Sequence, residues 1–206
     1  LTACGSGGDD PVPGADVESN VVLDPTSSDE LTETGLTETG LDAIEIAGLK
    51  FMREEEKLAH DVYATLFNTW GAVIFSNIAA SETEHTEAVR RQIELYGVED
   101  PAEGNPVGVF EDTYLQALFD KMIEMGSVGL IEGLKVGALI EETDIQDIRD
   151  KMAETDETSI LQVYQNLLCG SYEHLQAFNR QLVANGVGYQ SQVISQPRAL
   201  PIQDSM

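Results

Sequence analysis

The chain has 206 residues, 42% of them hydrophobic, enough for one domain of ordinary size with tails. With 11 basic residues against 37 acidic ones its formal charge is -26, and its first Lys or Arg is Lys50, so phosphate backbones and anionic membrane surfaces repel it and nucleic acid is not an expected partner. No apolar run is long enough to span a bilayer, and two cysteines, Cys4 and Cys169, are too few for a disulfide framework.

Residues 1–4, LTAC, resemble the lipobox that ends a bacterial lipoprotein signal peptide, and the Gly-Ser-Gly-Gly-Asp-Asp run after them reads as the tether that follows one. On that reading Cys4 carries a lipid and anchors the protein at the bacterial cell envelope, outside the cytoplasm, without a spanning helix. Residues 1–40, rich in Gly, Asp, Thr, Ser and Pro and free of basic side chains, are then a disordered acidic tether. The pentapeptide LTETG at 31–35 recurs at 36–40, too short a pair to build a repeat fold.

A helical pattern begins near Leu41 and is clear from Met52. Met52, Glu56, Ala59, Tyr63, Leu66 and Trp70 advance by three or four, so Glu56 shares an apolar stripe while Glu54 and Glu55 turn away from it. His60 reads as a surface or satisfied histidine, with support of Glu56 as the alternative. Gly71 ends this helix, and Ser76 reads as the cap of the next. In the second helix Phe75, Ile78, Val89, Ile93 and Tyr96 form the stripe, and Glu82 and His85 fall in its middle. A carboxylate there must be protonated, paired or metal-bound, and the Glu-x-x-His spacing lets both groups reach one ion from the same face.

Gly97 closes the second helix, and 100–109, with two Pro and two Gly, is a crossing loop. A short amphipathic helix over 113–125 follows, with Tyr114, Leu115, Leu118, Phe119 and Met122 inward. A connector this long suits the two halves of a crossover bundle. Ser127 reads as the cap of a third long helix with the stripe Ile131, Leu134, Ala138, Glu142, Ile145 and Ile148, which makes Glu142 its inward carboxylate and leaves Glu141 and Asp144 to the sides. The last helix, capped by Asp156 or Thr158, aligns Ile160, Tyr164, Leu167, Ser171, His174, Phe178 and Leu182, with Cys169 as a small core residue, and ends at Asn185-Gly186. Residues 187–206 read as a loose C-terminal tail.

Glu56, Glu82, His85, Glu142 and His174 thus give each long helix an inward metal-competent group. Carboxylate oxygens with imidazole nitrogens suit iron or manganese, and ligand type alone does not separate zinc. The run from Glu56 to Tyr63, EKLAHDVY, resembles the first-helix pattern of rubrerythrins, Glu82-Thr-Glu-His85 their second-helix signature, and Glu142 their third-helix Glu. From about residue 54 to 182, including FSNIAASE and GSVGLIEGLKVGALIEETDI, the chain is similar to the DUF2202 family of ferritin-like proteins. The resemblance implies an all-α fold: a ferritin-like four-helix bundle over 41–186 with a long crossover connection carrying a short extra helix. It also implies a carboxylate-bridged site for iron, mononuclear or di-iron, with Tyr63 as a nearby hydrogen-bonding or redox-active catalytic group.

Two positions depart from the family pattern. Ser171 stands where a fourth-helix Glu-x-x-His would place Glu, and Ile145 where rubrerythrins use a further acid. Three carboxylates leave two divalent ions one charge short, with Glu141 and Glu173 as further acids in reach. No Cys-x-x-Cys electron relay is present. Three functions stay open: an iron-dependent oxidoreductase acting on dioxygen, peroxide or Fe(II), a non-catalytic metal-buffering surface lipoprotein, and a structural bundle. Association of two bundles into a homodimer is open as well.

Overall fold

Asp42 starts the first helix by closing a capping box. Its Oδ1 accepts from the backbone N–H groups of Ile44 at 2.7 Å and Glu45 at 2.8 Å, while Glu45 Oε2 accepts from the N–H of Asp42 at 2.9 Å. In the computed structural model, which describes residues 40–193, α1 then runs over Ala43–Trp70 and stops at Gly71, whose φ of 65° suits a left-handed cap. The remaining helices are α2 (Val73–Leu95), α3 (Thr113–Gly126), α4 (Leu130–Ala153) and α5 (Thr158–Ala184). The lipobox-like start with Cys4, the tether through residue 39 and residues 194–206 lie outside the described residues.

Three caps differ from expectation: the residue at the cap of α5 is Glu157, between Asp156 and Thr158, and its side chain makes no capping bond. Ser76 lies inside α2, which starts three residues earlier, and its hydroxyl donates to the carbonyl of Val73. Ser127 closes α3 and does not open α4, which begins after Gly129. Helix α3 has the cap that the sequence does supply: Asp112 accepts from the N–H groups of Tyr114 and Leu115.

The long helices form a square, with α1 beside α2 and α4, and α5 beside α4 and α2. Trp70, at the end of α1, donates to the Gly126 carbonyl just before α4, whereas Gly48, near the start of α1, lies against Lys151 near the end of α4. Helices α1 and α4 are therefore antiparallel. The Tyr96 hydroxyl at the end of α2 meets Glu157 and Ser159 at the start of α5, and Phe75 packs tilted against Phe178, so α2 and α5 are antiparallel too. This pairing requires the connection from α2 to α4 to travel the length of the bundle, and α3 packs on α1 and α4 along the way.

Acidic side chains fasten that crossover through backbone donors. Glu54 accepts from the N–H groups of Glu111 at 2.6 Å and Asp112 at 2.8 Å, and Asp61 accepts from Gly108 at 2.9 Å and from Lys57. Glu54 is thus buried against the crossover, though the helical stripe leaves it to the side.

The apolar interior falls into two clusters at opposite ends of the bundle. One gathers Leu58, Val62, Tyr63 and Leu66 with Phe75, Ile78, Leu134, Ala138, Phe178 and Leu182. The other gathers Leu49 and Met52 with Val89, Ile93, Ile148, Ile160, Tyr164 and Leu167. Along every long helix the break between them falls at polar residues: Glu55 and Glu56, Glu82 and His85, Glu141 and Asp144, Ser171 and His174. Cys169 is half-buried and outside both clusters.

Candidate metal centre

The carboxylates of the polar layer are buried, while His85 keeps 13% of its side chain exposed. Glu56, Glu82 and Glu141 are each 1% exposed, and Glu55, Asp144 and His174 are buried with them. Among the described residues no Lys or Arg forms an ion pair with this set. Arg53, buried on α1, instead binds Asp100 at 3.1 Å and Thr86.

Glu82 is the hub. Its Oε2 lies 2.8 Å from His85 Nδ1 and its Oε1 lies 2.8 Å from His174 Nδ1. His85 Nδ1 is also 3.3 Å from Glu56 Oε2, and His174 Nδ1 is 3.6 Å from Glu141 Oε2. The imidazoles stack with centroids 5.4 Å apart. These close approaches are not well-formed hydrogen bonds: the in-plane N–H direction of each ring misses the oxygen beside it. Both Nδ1 atoms, Glu82 Oε1 and both Glu56 oxygens remain buried without a hydrogen-bond partner. Glu82, His85 and His174 offer ligand atoms that all lie within 4.8 Å of one another, a group that could hold a metal ion.

The histidines are held from behind. His174 Nε2 meets Ser81 Oγ at 3.0 Å, which suits the tautomer with its proton on Nε2 and a lone pair on Nδ1. His85 packs over Gly170, where a Cβ would lie 2.4 Å from Nε2, so only glycine leaves the ring its place.

The buried charges of the layer act strongly on one another. Burial alone would raise Glu82, but His174 and His85 hold it down to about 2. Burial, only partly offset by His85, pushes Glu56 up to about 7, and burial together with Glu82 pushes Glu141 up to about 7 against His174 and Tyr63. Burial, Glu56 and Glu141 drive Asp144 well above the usual carboxylate range. For His85, burial disfavours the cation, yet Glu56 and Glu82 outweigh it and raise the group to about 12. Glu141 and Glu82 likewise raise His174 to about 10.

Glu56, Glu82, His85 and His174 therefore meet as the sequence predicts, with Tyr63 beside them. Glu142 does not join them. Its carboxylate accepts from the Tyr189 hydroxyl at 2.8 Å, from Ser191, and from the N–H groups of Gln192 at 2.8 Å and Val193 at 3.3 Å, which hold it below the ordinary range despite burial. This bonding also fixes 189–193 onto the bundle, so the described part of the C-terminal tail is not loose. The inward acid of α4 is Glu141, which accepts from the Tyr63 hydroxyl at 2.6 Å. Leu134, Ala138, Glu141, Ile145 and Ile148 step by three or four as well as the same series through Glu142, so apolar spacing alone leaves a tie.

Asp144 and Glu55 also escaped the sequence reading. Asp144 stands one turn beyond Glu141 and accepts a hydrogen bond from the hydroxyl of Ser171 on α5. The Glu141-x-x-Asp144 spacing repeats that of Glu82-x-x-His85, and this was the available signal.

Fold and site together define an all-helical bundle with a buried carboxylate and histidine centre contributed by its four long helices. The chain belongs to the family described as uncharacterized protein domain DUF2202, whose model matches residues 45–203. It is similar to uncharacterized protein MJ0754 of the archaeon Methanocaldococcus jannaschii, at 45% identity over 148 residues, which span 72% of this chain and 80% of that protein. The crystal structure of hypothetical protein MJ0754 from Methanococcus jannaschii matches with a TM-score of 0.74 and 42% identity, covering 79% of this chain and 93% of that one.

Proposed function

We propose that this protein binds a pair of divalent metal ions, iron foremost, between Glu56, Glu82, His85, Glu141, Asp144 and His174, and that the loaded centre is an oxidoreductase site for dioxygen, peroxide or Fe(II). The observation that carries this reading is Glu82, whose two oxygens each face a different histidine Nδ1 at 2.8 Å while neither Nδ1 forms a hydrogen bond. A carboxylate so placed suits a bridge between two ions. Four carboxylate charges also match the charge of two divalent ions, and two neutral imidazoles complete the set of four acids and two histidines. Asp144 thus supplies the carboxylate that Ser171 lacks.

Bound iron supplies the change of oxidation state. The chain's own groups position and shield it. Glu82 and the two histidines fix the ligand atoms, and Ser81 keeps the His174 proton on Nε2. The two apolar clusters keep water from either end of the layer. Tyr63 donates its hydroxyl proton in a hydrogen bond to Glu141 beside the centre, which makes it a candidate electron donor, and its ring stacks on Phe75 and packs tilted against Phe178.

Elemental analysis of protein purified without chelator, followed by anaerobic Fe(II) titration and exposure to dioxygen or peroxide, tests this. Two ions per chain and oxidation abolished by Glu82→Ala are expected. Failure to bind iron beyond loose surface association would overturn it. The charge of -26 favours a second reading, a metal buffer at the cell envelope that concentrates cations; it predicts the same stoichiometry without turnover.

A further inference from the structure

The two-ion reading leaves one buried acid without a function. Glu55 is 4% exposed, and its Oε2 has no hydrogen-bond partner. The carboxylates that act on it are Asp144, Asp147 and Glu56. Two carboxylates this close repel unless a proton or a cation lies between them. Asp144, 5% exposed, likewise has an unpartnered oxygen, Oδ1.

These groups belong to a graded series. Glu141, Asp144, Asp147 and Asp150 along α4, followed by Glu154 at its C-cap, recur every three or four residues, and the steps of three turn the series around the helix from the bundle interior toward its surface. Burial falls along the series: Glu141 and Asp144 are buried, Asp147 and Asp150 half-buried, and Glu154 exposed. The outer three line a surface groove of about 310 Å³ together with Phe51, Tyr114 and Lys151. Lys151, the cation of this groove, is paired with Glu154 at 2.7 Å and does not reach Glu55 through any ion pair. Asp147 lines the groove and is also one of the charges that act on Glu55, which makes it the link between surface and interior.

We propose that this acidic ladder between α1 and α4 is the route by which a divalent cation enters and leaves the bundle centre, with Glu55 and Asp147 forming a transit site that holds the ion as it sheds water. The inference rests on the two-ion reading above. Oxygen donors at each step let a hard cation exchange hydration for carboxylate without crossing an apolar layer. A transit site must bind loosely, and two acids with no histidine bind more weakly than the inner set.

The test is stopped-flow loading of the full chain with Co(II) alone, followed through the visible absorption of the tight sites, with equilibrium stoichiometry measured on the same samples. Glu55→Gln and Asp147→Asn should each keep two tight ions but slow loading by about tenfold or more. Asp147→Glu, which keeps the charge, should load close to the wild-type rate. Helical circular dichroism checks that each variant is folded, and half-buried Asp147 gives a second probe should Glu55→Gln fold poorly. Wild-type rates in both neutralising variants, with two ions bound, would overturn the route and leave the two-ion centre intact. A wild-type chain that takes up no Co(II) would overturn both.

Discussion

Ser171 on α5 hydrogen-bonds through its hydroxyl to the carboxylate of Asp144 on α4, at the depth of the histidine pair. The small side chain on one helix makes room for the acid on its neighbour, and on the proposed two-ion reading Asp144 is a ligand from α4. Asp144→Asn should therefore lower bound metal from two ions per chain toward one, and should raise the melting temperature of the metal-free chain by removing one of several buried like charges. The double variant Asp144→Ser with Ser171→Glu should return the stoichiometry to two. Elemental analysis of the three proteins checks this, and a single variant that still binds two ions would take Asp144 out of the ligand set.

Glu141 and Glu142 are adjacent in sequence and opposite in role. Glu141→Gln should abolish tight metal binding, while Glu142→Ala should leave metal content unchanged. The second variant leaves the N–H groups of Gln192 and Val193 without their acceptor, at a cost of about 1–3 kcal/mol. Hydrogen exchange should then accelerate over 189–193 and nowhere near the centre. Equal metal loss in both variants would contradict this division.

This pair shows what the sequence holds and what it does not. Helical spacing locates the four long helices, the crossover and the depth of the polar layer, because apolar steps of three and four are long and consistent on either side of it. Glu56, Glu82, His85 and His174 are legible because each interrupts such a run. Spacing cannot choose between two adjacent acids when both fit the same steps. It also assigns Glu54 and Glu55 to the outside, because a single stripe assumes one buried face. Helix α1 is covered on three sides, by α2, α4 and the crossover with α3, so all three residues of its Glu-Glu-Glu run are buried.

Two glycines separate damage to the site from damage to the fold. A Cβ at Gly170 would lie 2.4 Å from His85 Nε2, and one at Gly137 would lie 2.3 Å from the Phe178 ring. Gly170→Ala should push His85 off its ligand position and weaken metal binding by about tenfold or more, comparable to the loss of an outer partner of a ligating histidine. Gly137→Ala should destabilise the bundle by about 1–3 kcal/mol through overpacking while its folded fraction keeps two ions. Thermal melts with Co(II) titrations of both variants distinguish the two effects.

Metal-free, the centre should make stability fall as pH rises. Glu56 and Glu141, pushed by burial from 4.5 to about 7, keep protons in the folded chain that the unfolded chain has already released, so each rise in pH across that window favours unfolding. His85 and His174, raised from 6.5 to about 12 and about 10 by the carboxylates that outweigh their burial, add stability that is complete below 6.5 and lost as pH climbs through those values. Only Glu82 acts oppositely: held at about 2 by the two histidines despite burial, its contribution is lost below 4.5. A chelated sample should therefore melt higher at pH 5 than at pH 8. Saturating Co(II) should reverse the order, because the ions bind the deprotonated acids and neutral imidazoles. A chelated protein more stable at pH 8 would mean that the buried acids are compensated in some other way.

Tyr63 allows positioning and electron donation to be told apart. Its hydroxyl donates to Glu141 at 2.6 Å, and its ring is held by Phe75 and Phe178, so Tyr63→Phe removes the donor and keeps the packing. If the hydroxyl only orients Glu141, the variant should bind two ions with affinity reduced about tenfold to a hundredfold, and should oxidise Fe(II) at the wild-type rate once saturated. If the ring also supplies an electron, single-turnover oxidation should slow even at saturation, and the tyrosyl radical signal of the wild-type reaction, read by electron paramagnetic resonance, should vanish. A variant with unchanged affinity and unchanged rate would remove Tyr63 from both roles and leave its hydroxyl as a partner for a buried acid.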